Sequence, residues 1–459
     1  MPVPALDKEL GISVYATNSR GIGGSIRRTP EEFLVEEILV DGSVASISDG
    51  PCSKPALGAS PSWQRFLLCV LVKRGWDTFA AIHAIAKQLG VDQASIHIAG
   101  IKDAKAVTAQ HVAIENVTIE DLERFHVKDI ELRPIGYFRD ALSPFYLLGN
   151  RFTITISNVN HTQALVRLRL AETVSELENQ GGIPNFFGHQ RFGTTRAITH
   201  IVGRAIVNGN LEEAAMLFLA KPSPHEHPES RKAREKLQST NDFAGALEYF
   251  PRQLRFERLM LRRLVENPTD FAGAFLSLPL KLQLLFVQAY QAYLFNRFLS
   301  ERLRHGFSLN AAEVGDYLVS VDRSSLPMPK TGKLVNPGSL AEVNASLRTG
   351  KVRVALPLVG FVQGLSEGEM GRIETKVLQE AGVKAASFKV RELPRISGKG
   401  ELRAIISPIR DFRIMGVTRD CGSPRLHRVK VSFMLMRGSY ATMLLREVMK
   451  PRDPLAAGF

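Results

Sequence analysis

Hydrophobic periodicity changes twice along these 459 residues, and that limits the fold more than any single motif does. Up to about residue 202 the apolar residues fall into short runs. Phe33, Val35 and Glu37 alternate with Leu34, Glu36 and Ile38, Phe66 to Val72 is continuously apolar, and Phe152, Ile154 and Ile156 alternate with Thr153 and Thr155. From about Gly203 to Ser387 long helical segments dominate, notably Arg252 to Val265 and Leu280 to Leu303. From about Arg391 the strand period returns, with Val429, Val431, Phe433 and Leu435 on one face. Strand-rich, helix-rich and strand-rich again is the layout of one domain interrupted by another. The expected division is a discontinuous α/β unit, 1–202 with 388–459, and a helix-rich insertion, 203–387.

Local signals fill in that frame. Asp77 or Thr78 caps a helix with Phe79, Ile82, Ile85, Ala86 and Leu89 as its apolar face, stopped by Gly90. A short strand holding Ile96 and Ile98 and another from Gln110 to Val117 leave Asp103 in their connection. Val166, Leu170, Val174 and Leu177 mark a helix ended by Gly181-Gly182, and a last helix runs from Ala441 to a stop at Pro451. Residues 41–62, rich in Gly, Ser, Ala and Pro, read as a mobile loop. The pentapeptide DFAGA occurs at Asp242 and again at Asp270, which reads as chance or local helix chemistry rather than a repeat fold.

Composition then narrows the function. A formal net charge of +13 points to an anionic partner, nucleic acid first and an anionic membrane surface second. No apolar run approaches the ~20 residues that span a bilayer. The opening MPVPALDKEL lacks a leader pattern, so the expected location is the cytoplasm. Cys52, Cys69 and Cys421 are scattered, without C-x-x-C spacing, and suggest neither a disulfide framework nor a zinc site. Phosphate-loop, dinucleotide and H-E-x-x-H motifs are absent, so no cofactor and no metal is expected.

Four stretches carry candidate chemistry. In AGIKDAKAVTAQ, Asp103 stands beside a glycine and between Lys102 and Lys105, cations that favour its ionised form. It suits a nucleophile or base, or else it is a solvated turn. IPNFFGHQRFG interleaves Phe186, Phe187 and Phe192 with Asn185, Gln190 and Arg191. Its amide can address a base edge and a ring can stack on an unpaired base, unless the rings are core anchors and Arg191 a surface charge. RGSYATMLLREVMK places Tyr440 at a helix start, with Arg446 and Glu447 reading as a surface pair. SIRRTPEEFLVEE sets Arg27 and Arg28 before a proline turn and Phe33 on the strand that follows; an exposed basic pair is the plain alternative.

Taken together and in this order, TPEEFLVEE, AGIKDAKAVTAQ, NFFGHQRFG and GSYATMLLRE, with FVQAYQAYLFNRFLSERL between, resemble the tRNA pseudouridine synthase D (TruD) family, and their wording looks archaeal. The resemblance implies a mixed, largely antiparallel pseudouridine synthase sheet with flanking helices, plus an inserted helix-rich α/β domain. It implies an isomerase that acts on tRNA, at uridine 13 of the D arm, without cofactor or obligate protein partner. It places Asp103 as the catalytic aspartate. Phe33, Asn185, Phe187 and Tyr440 fall on substrate contacts, Tyr440 where bacterial members carry phenylalanine. Arg27 falls where some members carry a lysine that supports the aspartate, a swap that keeps charge but not geometry. One prominent carboxylate suits this chemistry better than glycoside hydrolysis, which uses two. The strongly basic Arg252–Arg263 helix is expected to bind RNA phosphates. The rival expectation is a non-catalytic RNA-binding protein on the same fold, in which Asp103 is dispensable.

Overall fold

A computed structural model describes residues 2–48, 56–420 and 423–459. Cys52, Cys421 and the centre of the expected 41–62 loop lie outside the described residues. The loop's described flanks are tied to the sheet, Val44 bridging to Ile38 and Ser60 to Tyr137.

The N-terminal part contains helix α1 (Ala5–Glu9), strands β1 (Phe33–Leu39) and β2 (Phe66–Arg74), helix α2 (Thr78–Leu89), then β3 (Ile96–Ile98), β4 (Val107–Glu115), β5 (Ile130–Phe138) and β6 (Leu147–Val159), helix α3 (Gln163–Asn179) and the two-residue β7 (Ile183–Pro184). The helical stretch follows with α4 (Thr199–Val207), α5 (Leu211–Ala220), α6 (Pro228–Thr240), α7 (Phe243–Tyr249), α8 (Arg255–Glu266), α9 (Phe271–Leu276) and α10 (Leu280–Arg304). After it come β8 (Tyr317–Val321), β9 (Pro327–Leu334), α11 (Leu340–Arg348), β10 (Val352–Leu358), α12 (Gly368–Glu380), β11 (Glu401–Ala404), β12 (Ile406–Ser407), β13 (Ile409–Asp420), β14 (Ser423–Met436) and α13 (Ala441–Met449).

The described residues form an eight-stranded sheet in the order β13-β14-β6-β1-β4-β2-β5, with β3 added to β4. Only β1 and β4 run parallel; the other pairings are antiparallel. The fold is therefore the mixed, largely antiparallel α/β fold expected. The unbroken apolar run of β2 suits a central strand, between β4 and β5, that is buried on both faces, Leu67, Cys69 and Leu71 in one cluster and Phe66 and Leu68 in another. Over it lies α2, whose Ala81, Ile82, Ile85 and Ala86 pack on Leu67, Cys69 and Leu71. Asp77 caps this helix by accepting from the Phe79 and Ala80 amides, and Gly90 ends it in the left-handed conformation. Phe79 departs from the expected apolar face: it is 49 % exposed, one turn off the buried stripe, with the Lys281 ammonium 5.8 Å from its ring centroid. At the other end of the sheet, Ile154, Ile156, Val429 and Val431 share a core with Val166 and Leu170 of α3 and Leu444 and Val448 of α13.

The helix-rich middle packs around α10, which buries Phe286, Tyr290, Phe295 and Phe298. Gly203 lets α4 approach it, since a Cβ there would collide with the Phe286 carbonyl. The middle sheet has the order β11-β10-β8-β9, so it takes Glu401–Ala404 from beyond residue 387 as an edge strand. At its other border α4 runs across residues 202 and 203. The repeated DFAGA is local helix chemistry: Asp242 accepts from the Gly245 amide at 3.0 Å and Asp270 from the Gly273 amide at 2.8 Å, each capping a short helix.

Arg446 and Glu447 are not a surface pair. Both are 1 % exposed, Arg446 Nε reaching Asp7 Oδ2 at 2.6 Å while Glu447 accepts from Thr17 Oγ1 at 2.8 Å. Asp7 also meets His189 Nε2 at 2.8 Å. The N-terminal arm brings these partners, so α13 is covered on a face its own sequence would leave in water. Among the described residues no helix is long and apolar enough to cross a membrane.

Candidate active site

Asp103 sits in the β3–β4 connection, and nearly every neighbour in that loop is pinned. Lys102 donates its amide to Thr78 Oγ1 and receives the Thr78 hydroxyl on its carbonyl, both at 3.1 Å. Gln110 Nε2 donates to the Gly100 carbonyl at 3.1 Å. Lys73 Nζ donates to the Asp103 carbonyl at 2.8 Å and to the Trp76 carbonyl at 2.7 Å. Burial pulls the Lys73 ammonium down to about 8, against the opposing pull of Asp103 and Asp77.

The cation beside the Asp103 carboxylate is not the one the spacing suggests. Lys102 turns inward to Glu37 of β1, Nζ to Oε2 2.5 Å, with both side chains buried. Burial alone would raise the Glu37 carboxyl, but Lys102 and the His111 N–H groups hold it below its ordinary value. Arg27 instead faces the aspartate, its NH2 3.0 Å from Oδ1. Oδ2 has no hydrogen-bond partner among the described residues. Arg27 takes a left-handed backbone (φ 60°), and its guanidinium lies 4.1 Å from the Phe33 ring centroid. Burial lowers the guanidinium from its ordinary value while Asp103 opposes the shift.

These groups open into a cavity of about 420 Å³ lined by Arg27, Phe33, Ile101, Asp103, Asn150, Phe152, Gln190, Arg191, Leu285, Tyr440 and Thr442 among others. Four of the residues expected from sequence, Arg27, Phe33, Asp103 and Tyr440, thus converge from chain positions hundreds of residues apart. Phe33 is only 1 % exposed and lies beneath Arg27, so its ring supports the guanidinium rather than offering a free face. Tyr440 stands at the N-cap of α13.

Asn185 and Phe187 fall in an adjoining cleft of about 870 Å³, between the sheet and α10, with Arg191 lining both spaces. The Asn185 amide does not present a free edge: Oδ1 accepts from Arg403 NH2 at 2.8 Å and Nδ2 donates to the Ala404 carbonyl at 2.9 Å. Phe187 has the Arg403 guanidinium 4.0 Å from its centroid and the Tyr440 ring 6.2 Å away. Arg191, read as a possible surface charge, donates to Gln288 Oε1 of α10 at 3.1 Å. Lys399, Arg403 and Arg437 make this cleft basic.

Asn150 and Arg403 read in the sequence as ordinary strand residues, and Thr442 as an ordinary helix residue within GSYATMLLRE. For Gln190 in NFFGHQRFG, as for Thr442, membership of its motif is the one signal. α8 starts at Arg255 rather than at the expected Arg252; in it Arg258 donates to the Leu247 and Phe250 carbonyls and Arg263 pairs with Asp270, which leaves Arg255 and Arg262, with Arg252 in the turn before the helix, exposed on the expected RNA face. Among the described residues no group of three or more His, Cys, Asp or Glu side chains is placed to hold a metal ion.

Comparison with known proteins places this geometry. The family model described as tRNA pseudouridine synthase D (TruD) matches residues 9–448. A Methanosarcina acetivorans protein bearing that family name is 38 % identical over 455 residues, 99 % of each chain. One from Pyrococcus furiosus is 36 % identical over 437 residues, 95 % of this chain and 98 % of its own. A crystal structure of the Methanosarcina mazei TruD protein superposes with a TM-score of 0.83 at 35 % identity, covering 99 % of this chain and all of the other. Match length, fold and identity agree, and the chain belongs to the tRNA pseudouridine synthase D family.

Proposed function

We propose that this isomerase converts uridine 13 in the D arm of tRNA to pseudouridine, with Asp103 as its single catalytic carboxylate. The observation that carries the reading is the Asp103–Arg27 pair lining a cavity walled also by Tyr440, Phe152 and Gln190. A base must leave its stack to react, and the cavity gives it a shielded place to turn. In the reaction the N1–C1′ bond breaks, the uracil turns over, and C5 bonds to C1′. The C5 proton is lost while N1 gains one, so atoms balance without redox change or hydrolysis. Arg27 holds one carboxylate oxygen and leaves the other for the sugar or base. Phe33 supports Arg27 from below. Tyr440 flanks the base, and Asn185 and Phe187, locked by Arg403, shape the neighbouring cleft that receives the adjoining strand. Lys399, Arg403 and Arg437 meet its phosphates. The inserted unit runs from α4 to β11, residues 199–404, and α10 forms its wall toward the site.

The position is tested by carbodiimide mapping of pseudouridine in tRNA transcripts whose D-arm uridines are replaced one at a time by cytidine. Modification should vanish only when position 13 is replaced. Loss on replacing a different uridine would overturn the assignment.

A further inference from the structure

Buried polar atoms almost always have partners. Five atoms lining the Asp103 cavity have none: Arg27 Nε, Asn150 Oδ1, Gln190 Oε1, Arg191 Nε and Thr442 Oγ1. Two of them converge on one point. A methyl at Gly188 would stand 2.9 Å from Thr442 Oγ1, 3.0 Å from Tyr440 Cδ1 and 3.1 Å from Gln190 Oε1, so only glycine lets these side chains close in together against its Cα. Thr442 is only 2 % exposed, so no bulk water satisfies its hydroxyl. Asn185, the residue whose amide the sequence suggested for a base edge, has both ends of that amide occupied by protein.

We infer that Gln190 and Thr442 read the Watson–Crick edge of the flipped uracil, and that Asn185 does not. The proposal rests on the pseudouridine synthase reading and goes beyond it by naming the residues that choose the base. Gln190 Oε1 accepts the N3–H of uracil, and the Thr442 hydroxyl donates to a flanking carbonyl oxygen. Arg191 Nε–H can only donate, which also favours a carbonyl over an amino group. The set thus matches a base with one N–H between two carbonyls. Cytosine, with an acceptor at N3 and an amino group at C4, leaves the fixed donor without a partner. Gly188 lets Gln190 and Thr442 approach each other beside Tyr440: its backbone is extended (φ −77°, ψ 170°), so the missing side chain and not the backbone explains the glycine.

The test uses full-length protein and tRNA carrying either uridine or N3-methyluridine at the target position, with kcat/KM read for each. Wild type should prefer uridine by about 10⁴-fold or more, the scale on which sites built around a substrate N–H reject analogues lacking it. Gln190→Ala should lose about tenfold or more on uridine and shrink the preference by at least about tenfold, with tRNA Kd and thermal melting kept. Thr442→Val, a change of similar shape, should lower kcat/KM on uridine with tRNA Kd kept, and Gly188→Ala should do the same by pushing Thr442 and Gln190 out of place. An unchanged uridine preference in Gln190→Ala would overturn the proposal while leaving the isomerase reading intact. A wild type that isomerises neither substrate would overturn the reading on which it rests.

Discussion

Lys102→Met removes the cation from the buried pair beneath the Asp103 loop. Glu37 is 0 % exposed, and after the change its carboxylate keeps only the His111 amide at 3.0 Å and ring nitrogen at 3.2 Å. Breaking a buried pair by deleting one partner costs about 3–5 kcal/mol, because the remaining charge is left uncompensated. Against a total stability of roughly 5–15 kcal/mol, the variant should fold but unfold at clearly lower urea. Trp76 reports on the region, since its carbonyl accepts from Lys73 in the same loop system and it packs on the α2 core. Removing both charges with Lys102→Met and Glu37→Gln should recover about 2 kcal/mol or more of the single-variant loss, as replacing a whole buried pair is commonly close to neutral. Urea titrations followed by tryptophan fluorescence give the four corners of this cycle. The turnover of Lys102→Met should fall as well, because Asp103 is the next residue, while tRNA affinity holds. Additive costs in the double variant, or a single-variant cost below about 1 kcal/mol, would refute the view that Lys102 serves Glu37 rather than Asp103.

Arg27→Ala should lower kcat on tRNA by about 100-fold or more with little change in melting temperature, since it frees Asp103 Oδ1 and uncovers Phe33. Arg27→Lys should recover only part of that, the planar stacking on Phe33 being lost; single-turnover rates check both. Charge reversal at the exposed Arg252, Arg255 and Arg262 should weaken tRNA binding and flatten its dependence on log salt, by roughly 0.7–0.9 per lost phosphate contact, with kcat at saturation unchanged. Equal salt slopes in variant and wild type would remove α8 from the RNA face. Burial pushes the Glu374 carboxyl up to about 8, against its Ser366 hydrogen bonds. A raised carboxyl contributes stability that is complete below its unfolded value of 4.5 and is lost as pH rises through about 8. Glu374→Gln should therefore match wild type near pH 4 and be the more stable protein near pH 8, as melting curves across that range will show.

What the residues disclosed and what they hid follow from the range of the interactions. Periodicity located β1, α2, α3, α10 and α13 because each element's buried face is written in its own segment. The split into strand-rich and helix-rich parts was equally visible. The β11 edge strand was not, since four residues pairing with β10 carry no period of their own. Arg446 looked solvent-facing because its partner, Asp7, lies 439 residues away in sequence. At the site, Asp103, Arg27, Phe33 and Tyr440 stood out through their motifs and the fold brings them to one cavity. Asn185 and Lys102 had the right chemical type but spend their groups on Arg403 and Glu37, which only tertiary packing decides. Asn150 was silent for the opposite reason, and Thr442 showed only as a member of GSYATMLLRE: no local pattern marks an amide or hydroxyl left without a partner.

The central claim is that one carboxylate in this cavity drives isomerisation of a uridine in tRNA. It is tested most directly with transcripts tritiated at C5 of uridine, incubated with wild type and with Asp103→Asn. Forming the C5–C1′ bond must expel that tritium to water. The account predicts release by wild type, none by Asp103→Asn, and equal tRNA affinity for the two. Release by the variant at the wild-type rate, or tight binding with no release by either protein, would contradict it.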